Sequence, residues 1–588
     1  MKRMKQLGRA ILLMLCFVML FSACQWGSSP ADTTGGSGSD IVTDPPSNEE
    51  PQEKGDPRLL YNGIYLPEEW PPKDVSKNFN EEIEAPYLTD ISDGGTHPDV
   101  VNIDVGRQLF VDDFLIESTS LTSTYHYAEI YDGNPIFKAL SHDETNADTF
   151  GKALEKGFHL KHGGIWYDEE KHLFEMWYNL GNGVGYASST DGINWTDKGR
   201  IFAFKGNGGG YATVIKDENA DKDAPKFWML VRRSNGYFDP NDEDDTHEFY
   251  ATEIYYSYDG QTWRLKGAGP TSGDASTLIY NPFRDVWQFS LRRSYKASKT
   301  VPVKLGRARD YLELENLLDL SRISEDDVVF WTRADSSDLR DPILNFKPEI
   351  YSLCAVGYES IMLGSFQMLK GPENNEMIKT GIPKVTDLVL GYSRDGFYYT
   401  RPDRNSFIES SQVAGTWDRG YLHQVSSVCL IVGDELWFYY GGYEGDQSFA
   451  GDSSKTGGAM NKFSIGLAKL RRDGFVSLDG TGEVLTRKMT VTQGQKYLFI
   501  NAVADSVKAE VLDENGNVIE GFSMAECTPF SGDSTCSMLK WGNKDLSALS
   551  GTTFQIRFSV KKGSFYSFWL SATQDGASNG ATAGGVVV

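Results

Sequence analysis

This sequence of 588 residues is short of three things. No run of lysines and arginines offsets its formal charge of −25, which argues against a nucleic-acid partner. No spacing among its cysteines and histidines resembles a zinc site, no spacing supports a structural calcium, and no cofactor is expected. Beyond the first 21 residues no apolar stretch approaches the roughly 20 residues that a helix needs to cross a bilayer. What remains is a long acidic chain, able to bury large cores in two or three domains.

The N-terminus is built for export. A basic start (Lys2, Arg3, Lys5, Arg9) precedes an apolar stretch from Ala10 to Phe21 and the sequence Phe21-Ser22-Ala23-Cys24. It resembles a bacterial lipoprotein signal, with Phe where Leu is usual, and the resemblance implies cleavage after residue 23 and a lipid on Cys24. Residues 24–58, rich in Gly, Ser, Thr, Pro and acids, are expected to be a flexible, disordered tether. The folded part is then expected outside the cytoplasm, lipid-anchored at the bacterial cell surface and otherwise free of the membrane. Of the other cysteines, Cys354 and Cys429 fall in expected inner strands as packing residues. Cys527 and Cys536, nine residues apart in an exported chain, are expected to form a disulfide.

The strongest pattern is Ser-x-Asp-Gly-x-x-aromatic. It occurs as Ser189, Asp191, Gly192, Trp195, then as Ser257, Asp259, Gly260, Trp263, and again as Ser393, Asp395, Gly396, Tyr399. Between the last two stands a copy without its glycine, Ser324, Asp326, Asp327, Phe330. The Asp positions 191, 259, 326 and 395 are 68, 67 and 69 residues apart. Asp-Gly suits a tight hairpin turn, with Ser and Asp bonding the turn backbone. A strand-like run precedes each good copy and an aromatic-rich run precedes that, so each repeat is a unit of about four strands, the signature of a β-propeller blade. A fifth unit has its inner strand near Gln424–Val432 and a degenerate turn at Asp473-Gly474.

The expected fold is therefore all-β, a five-bladed β-propeller over residues 104–478. An extended lead-in over 59–103 precedes it. Alternating apolar and polar residues over 479–573 predict a C-terminal β-sandwich, and 574–588 a disordered tail. A propeller followed by a β-sandwich resembles glycoside hydrolase family 32, and the propeller alone resembles family 43. Leu109-Phe110-Val111-Asp112-Asp113 and Phe565-Tyr566-Ser567-Phe568-Trp569 are similar to exported bacterial proteins labelled family-32-like. The chain lacks the Trp-Met-Asn-Asp-Pro nucleophile motif of family 32. Its Arg340-Asp341-Pro342 matches the family's Arg-Asp-Pro triplet but precedes the fourth blade instead of lying at the second, so that role does not carry over.

Alignment of the repeats points polar residues at the ends of inner strands toward a central funnel: His159 or His162, Tyr211, Asp274, Glu349 and His423. Glycosidic cleavage needs two carboxyl groups, and Asp274 and Glu349 occupy equivalent places in adjacent blades. A structural alternative, Asp274 capping a turn and Glu349 merely preceding a strand, stays open. Asp112 or Asp113 could supply the third acid that these families use, while Glu359 belongs at the opposite end of its blade in a structural role. Two blades end their second strand in Arg-Arg-Ser, placing Arg232 and Arg292 where guanidinium forks could hold an anionic sugar, or else pair with Asp274 and Glu349 as scaffold. Tyr211, Trp417 and Tyr443 are candidate stacking platforms, and His423 a candidate substrate contact. The expected activity is a monomeric, surface-anchored glycoside hydrolase acting on a saccharide end. The alternative is a non-catalytic glycan-binding lipoprotein, and a third reading, a protein-binding scaffold, would need broad hydrophobic patches on a propeller face.

Overall fold

The computed structural model describes residues 56–138, 158–181, 183–204, 211–237, 249–452, 458–492 and 494–587. The expected signal sequence, Cys24 and nearly all of the tether lie outside the described residues.

The repeats form a propeller-like arrangement of antiparallel sheets. Four sheets have four strands each, and they begin with the inner strands Phe158–Asp168, Ala212–Lys216, Thr277–Asn281 and Glu349–Glu359. The fourth owes its fourth strand to Ala581–Thr582, which pairs with the outer end of Glu349–Glu359. The fifth repeat is not an equal blade: its strands Gly420–Gln424, Leu430–Val432, Glu435–Tyr443 and Phe463–Arg471 belong to a seven-stranded sheet. Glu129–Ile130 and Phe137–Lys138 close one edge of that sheet, so chain before the first repeat pairs with the last strand of the fifth. Inner strands pack side by side around the centre, with 420–424 returning against 158–168.

The repeated turn is the joint between neighbouring sheets. In all three complete copies the Ser hydroxyl accepts the Gly N–H at 2.9 Å. The Asp carboxylate accepts the next two backbone N–H groups at 2.7–2.9 Å. Each Gly carbonyl then accepts a hydrogen bond from a side chain of the preceding sheet. Tyr439 Oη donates to Gly192, Trp177 Nε1 to Gly260, and Gln288 Nε2 to Gly396. These glycines have φ of 72°, 72° and 81°, and a Cβ would lie 2.5 Å from Tyr439 Oη, 2.6 Å from the Trp177 ring and 2.2 Å from Asn281 Nδ2. The copy lacking Gly forms a capped 3-10 turn at Glu325–Asp327. Aromatic pairs such as Phe174 with Trp437 and Trp228 with Trp287 fill the space between sheets.

The C-terminal region departs from expectation in its boundaries. Its strands join one nine-stranded hydrogen-bonded sheet built on Tyr497–Asp513 and Phe554–Ser571, without dividing into two hydrogen-bonded layers. Val101–Asn102, Gln108–Leu109, Ile116–Thr119 and Thr122–Tyr125 belong to that sheet although they precede the propeller in sequence, and Val476–Thr486 crosses the expected boundary at 479. The chain from Gln574 is not a disordered tail. Trp569 Nε1 donates to Gly576 O at 2.8 Å, and Val586–Val587 pairs in parallel with Ile431–Val432. The expected disulfide is absent, because Cys527 is buried with its sulfur accepting Ala509 N–H while Cys536 is exposed beside Asp575 O.

Where this sheet meets the propeller, the degenerate fifth turn carries a buried ionic network. Asp473 accepts from Arg107 Nη1 at 3.0 Å, Ser567 Oγ at 2.6 Å, Asn501 Nδ2 at 3.1 Å and Tyr358 Oη at 2.6 Å. Glu359 is held by Arg472 Nη2 at 2.9 Å and the Arg107 backbone N–H at 3.1 Å, a structural place at the outer end of its strand. Burial alone would raise the Asp473 carboxyl. The guanidiniums of Arg107 and Arg472, with the Ser567 and Tyr358 hydroxyls, outweigh burial and hold it below the usual carboxylate range.

Two outcomes follow. Gly260→Ala should cost about 1–2 kcal/mol for its left-handed backbone and about 1–3 kcal/mol more for crowding Trp177. Gly516→Ala, at φ 81° with nothing within 4 Å, should cost only the backbone part; equal losses in chemical denaturation would contradict the joint. For Asp473, the unfolded chain binds the proton more readily than the folded one. Its stabilisation is therefore fully present above about pH 4 and lost as pH falls. Asp473→Asn should cost about 1.5–3 kcal/mol at neutral pH, removing one of the two buried carboxylates that Arg107 pairs with and leaving Glu359 as the other, and should flatten stability between about pH 4 and 2 in thermal melts.

Candidate active site

At the funnel end of the second, third and fourth sheets lies a cavity of about 560 Å³. Its charged lining is Arg232, Arg292, Arg307, Lys296, Lys304, Asp274, Glu349 and Glu373. The backbone turns sharply here: Ala275, which follows Asp274, has φ of 59°, and Tyr421, in the inner strand of the fifth repeat, has 55°. Left-handed non-glycine residues carry a cost that surrounding structure must offset. Arg309, fully buried beneath, provides part of that support, donating to Ala275 O at 2.9 Å, Tyr351 O at 3.2 Å and Ser290 Oγ at 2.9 Å. Burial lowers its guanidinium to about 9, with Arg292 adding to the effect.

Asp274 and Glu349 both line the cavity, and each is clamped by an arginine of the third sheet. Arg292 Nη2 lies 2.7 Å from Asp274 Oδ1, and Arg307 Nη1 donates to Glu349 Oε2 at 2.6 Å. Glycine makes room for both clamps. A Cβ at Gly273 would lie 2.5 Å from Arg292 Nε, and one at Gly306 would lie 2.0 Å from Glu349 Oε1. Asp274 Oδ2 also accepts from Tyr351 Oη at 3.2 Å, and Tyr351 Oη is 2.7 Å from Tyr421 Oη. Lys384 lies over both tyrosine rings, 5.4 and 5.6 Å from their centroids. The Nε atoms of Arg292 and Arg307 are buried and have no hydrogen-bond partner among the described residues.

The other expected site residues divide. Arg232 lines the cavity, with its guanidinium 5.1 Å from the Tyr211 ring centroid. Arg293 turns away to Glu325 and Asp310. His423 is a correction: it is fully buried, packed against the Tyr421 ring at 4.5 Å and bonded to Gln367 Nε2, so it is closed off from a substrate. Asp112 is another. Its side chain caps the turn at Phe114 N and takes both Nε and Nη2 of Arg394 in a buried pair away from the cavity. Tyr443 is buried against Tyr421, and Trp417 packs on Tyr440. Asp341 bonds the N–H groups of Ile343 and Leu344 at 2.8 Å, a turn-forming role. The side chain of His159 lies outside what is described. Repeat alignment missed Arg307, Tyr351, Lys384, Tyr421 and Glu373. A signal existed for the first, since Arg307 and Arg309 alternate in the strand that pairs with Arg292-Arg293.

No family model matches the chain, and no curated protein matches it. Solved structures do. A glycoside hydrolase family 43 arabinoxylan arabinofuranohydrolase from Bacillus subtilis aligns with 71% of this chain and 96% of its own, at 9% identity and a TM-score of 0.30. A family 43 endo-arabinanase from Bacillus licheniformis aligns with 54% and 97%, at 11% identity and 0.32. A fructofuranosidase from Schwanniomyces occidentalis aligns with 69% and 94%, at 9% identity and 0.33.

Proposed function

We propose that this chain is a glycoside hydrolase that works on the end of an anionic oligo- or polysaccharide, held at the bacterial cell surface through a lipid on Cys24. One observation carries the substrate class. In a chain of net charge −25, the cavity gathers five cationic side chains against three carboxylates. A locally positive site in an acidic protein attracts and orients an anion. Arg292 and Arg307 each hold a carboxylate while their guanidiniums line the cavity. Asp274 and Glu349 supply the paired carboxyl groups that glycosidic cleavage needs. In this reading the seven-stranded sheet serves as the fifth blade, the nine-stranded sheet as the sandwich-like accessory domain, and the protein acts as a monomer.

A second reading, capture of a glycan without cleavage, is favoured by the same two clamps, which fit scaffold ion pairs as well as catalytic carboxylates. Incubation of the purified chain with neutral, uronic and sulfated glycans separates the two: hydrolysis releases new reducing ends, whereas capture gives binding alone. Arg232→Gln should weaken anionic glycans by about 10- to 100-fold, the worth of one charged hydrogen bond, and leave neutral ones nearly unchanged. Equal weakening of both classes would remove the anionic substrate.

A further inference from the structure

The rim of the cavity carries more positive charge than its two clamped carboxylates use. Lys296 and Lys304 line the wall and stand at the two ends of the hairpin that joins the strands Val286–Tyr295 and Gly306–Leu314 of the third sheet. Lys299 is exposed between them. The hairpin is built to keep its shape. Ser298 N–H donates to Val301 O at 2.8 Å, Ser298 Oγ accepts Val301 N–H at 3.1 Å, and Leu305 N–H donates to Tyr295 O at 3.1 Å. Val301 and Leu305 are buried with Phe330, against Val75 and Phe79 of the lead-in. With those apolar side chains turned inward, Lys299 and Lys304 are left facing solvent.

Two further lysines stand with the hairpin. Lys347 Nζ donates to Lys304 O and lies 4.2 Å from the Phe79 ring centroid. Lys77 Nζ lies 5.5 Å from the ring centroid of Tyr295, a residue of the cavity wall, and 5.2 Å from that of Phe330. An aromatic face attracts an ammonium without neutralising it. Lys77, Lys299, Lys304 and Lys347 make no ion pair among the described residues, in a chain with 82 acidic side chains for 57 lysines and arginines. The carboxylates that border the group are engaged elsewhere. Glu349 is held by Arg307, and buried Asp310 by the Tyr295 hydroxyl at 2.6 Å and by Arg293 at 3.4 Å. Glu373, the third carboxylate of the cavity, pairs with none of these four lysines. Burial lowers the Lys347 ammonium; Glu349 opposes that, and the charges of Arg340, Lys304 and Arg333 add to it. Like charges gathered without counter-charge favour an incoming anion.

We propose that this hairpin is a second anion subsite, taking the carboxylate or sulfate of the sugar unit next to the one held in the cavity. The substrate is then a chain charged on successive units; this rests on the anionic-glycan reading above. Because Lys296 and Lys304 belong to the cavity wall, a chain whose end lies inside passes the hairpin as it leaves. The same position favours a saccharide over a membrane surface as the partner of these lysines. The two places differ in kind. Arg292 and Arg307 are fixed by Asp274 and Glu349 and present planar forks, whereas ammoniums on the hairpin are point charges that take carboxylate and sulfate alike.

Equilibrium binding of galacturonate oligomers of one to four units, and of sulfated galactose oligomers of the same lengths, tests the subsite and tells the two anions apart. In one of the series, affinity should rise from monomer to dimer by about 2- to 30-fold, the worth of two exposed ion pairs. Lys299→Glu should bring the dimer-to-monomer ratio back toward one, with Lys299→Gln in between, and added salt should weaken the dimer more than the monomer. Affinity that does not rise with length, or a ratio that Lys299→Glu leaves at the wild-type value, overturns the subsite while monomer binding keeps the anionic-glycan reading. Vesicles of phosphatidylserine in phosphatidylcholine supply the other arm: binding that Lys299→Glu abolishes, with the oligomer ratio unchanged, assigns the hairpin to a membrane and also overturns it. A wild-type chain that binds no acidic oligomer of any length overturns the anionic-glycan reading itself, and the subsite falls with it.

Discussion

The contact on which this architecture depends is a carbonyl of glycine received by a neighbouring sheet. A propeller sheet is flat enough to slide over the next, and aromatic packing alone sets no register between them. The turn Ser-x-Asp-Gly solves this with a carbonyl that points sideways, fixed by the Ser and Asp bonds around it, and a Tyr, Trp or Gln on the preceding sheet captures it. A side chain on the glycine would occupy the captor's space, so two needs fall on one residue: a positive φ and the absence of a Cβ. The fifth turn keeps the joint by other means, with Tyr358 Oη bonded to both the N–H and the carboxylate of Asp473. That turn keeps Asp473 and Gly474 but has Arg471 in place of the serine, and it is also the fastening point for the nine-stranded sheet through Arg107, Asn501 and Ser567.

This explains which parts of the fold were legible in the sequence. A joint that recurs must recur in sequence, so the repeats, their sheets and the structural status of Asp191, Asp259 and Asp395 could be read directly. Pairings that occur once could not. Nothing local in residues 116–125 announces that they join Val476–Thr486, or that Ala581–Thr582 and Val586–Val587 bind two different propeller sheets. The Gly/Ala-rich composition after Gln574 reads as disorder because its order comes from partner strands, not from its own side chains. Cys527 and Cys536 failed for a related reason: nearness in sequence does not reveal that Cys527 is buried in a bend with its sulfur on Ala509 N–H while Cys536 is exposed on the strand Phe530–Leu539.

In the site, the repeat alignment located Asp274, Glu349, Arg232 and Arg292 at the cavity because inner ends of equivalent strands converge there. It erred with His423, which is fully buried and packed against the ring of Tyr421, a residue in the left-handed region. Asp112 failed because its partner, Arg394, is 282 residues away, a pairing that motif likeness does not reveal. The residues missed, Arg307 and Tyr351, act on those found: one holds Glu349 and the other Asp274. A repeat ruler finds what each sheet repeats, whereas these are contributions from single sheets.

The charge arrangement then follows from strand geometry. In the third sheet Arg292 and Arg293 face opposite ways, one to the cavity and one to Glu325 and Asp310. In the next strand Arg307 and Arg309 share a face, so the strand's twist and the cavity's depth separate them: Arg307 reaches Glu349 at the rim, and Arg309 is sealed below it. A sealed guanidinium without a carboxylate partner is costly, which is why burial lowers its pKa below the usual range and why its donors go to carbonyls. Those carbonyls belong to Ala275 and Tyr351, the residues that aim Asp274 and its hydroxyl donor. The cost of burying Arg309 is therefore tied to holding the strained turn at Asp274 in one conformation, and the same strand that floors the cavity supplies the cation at its rim.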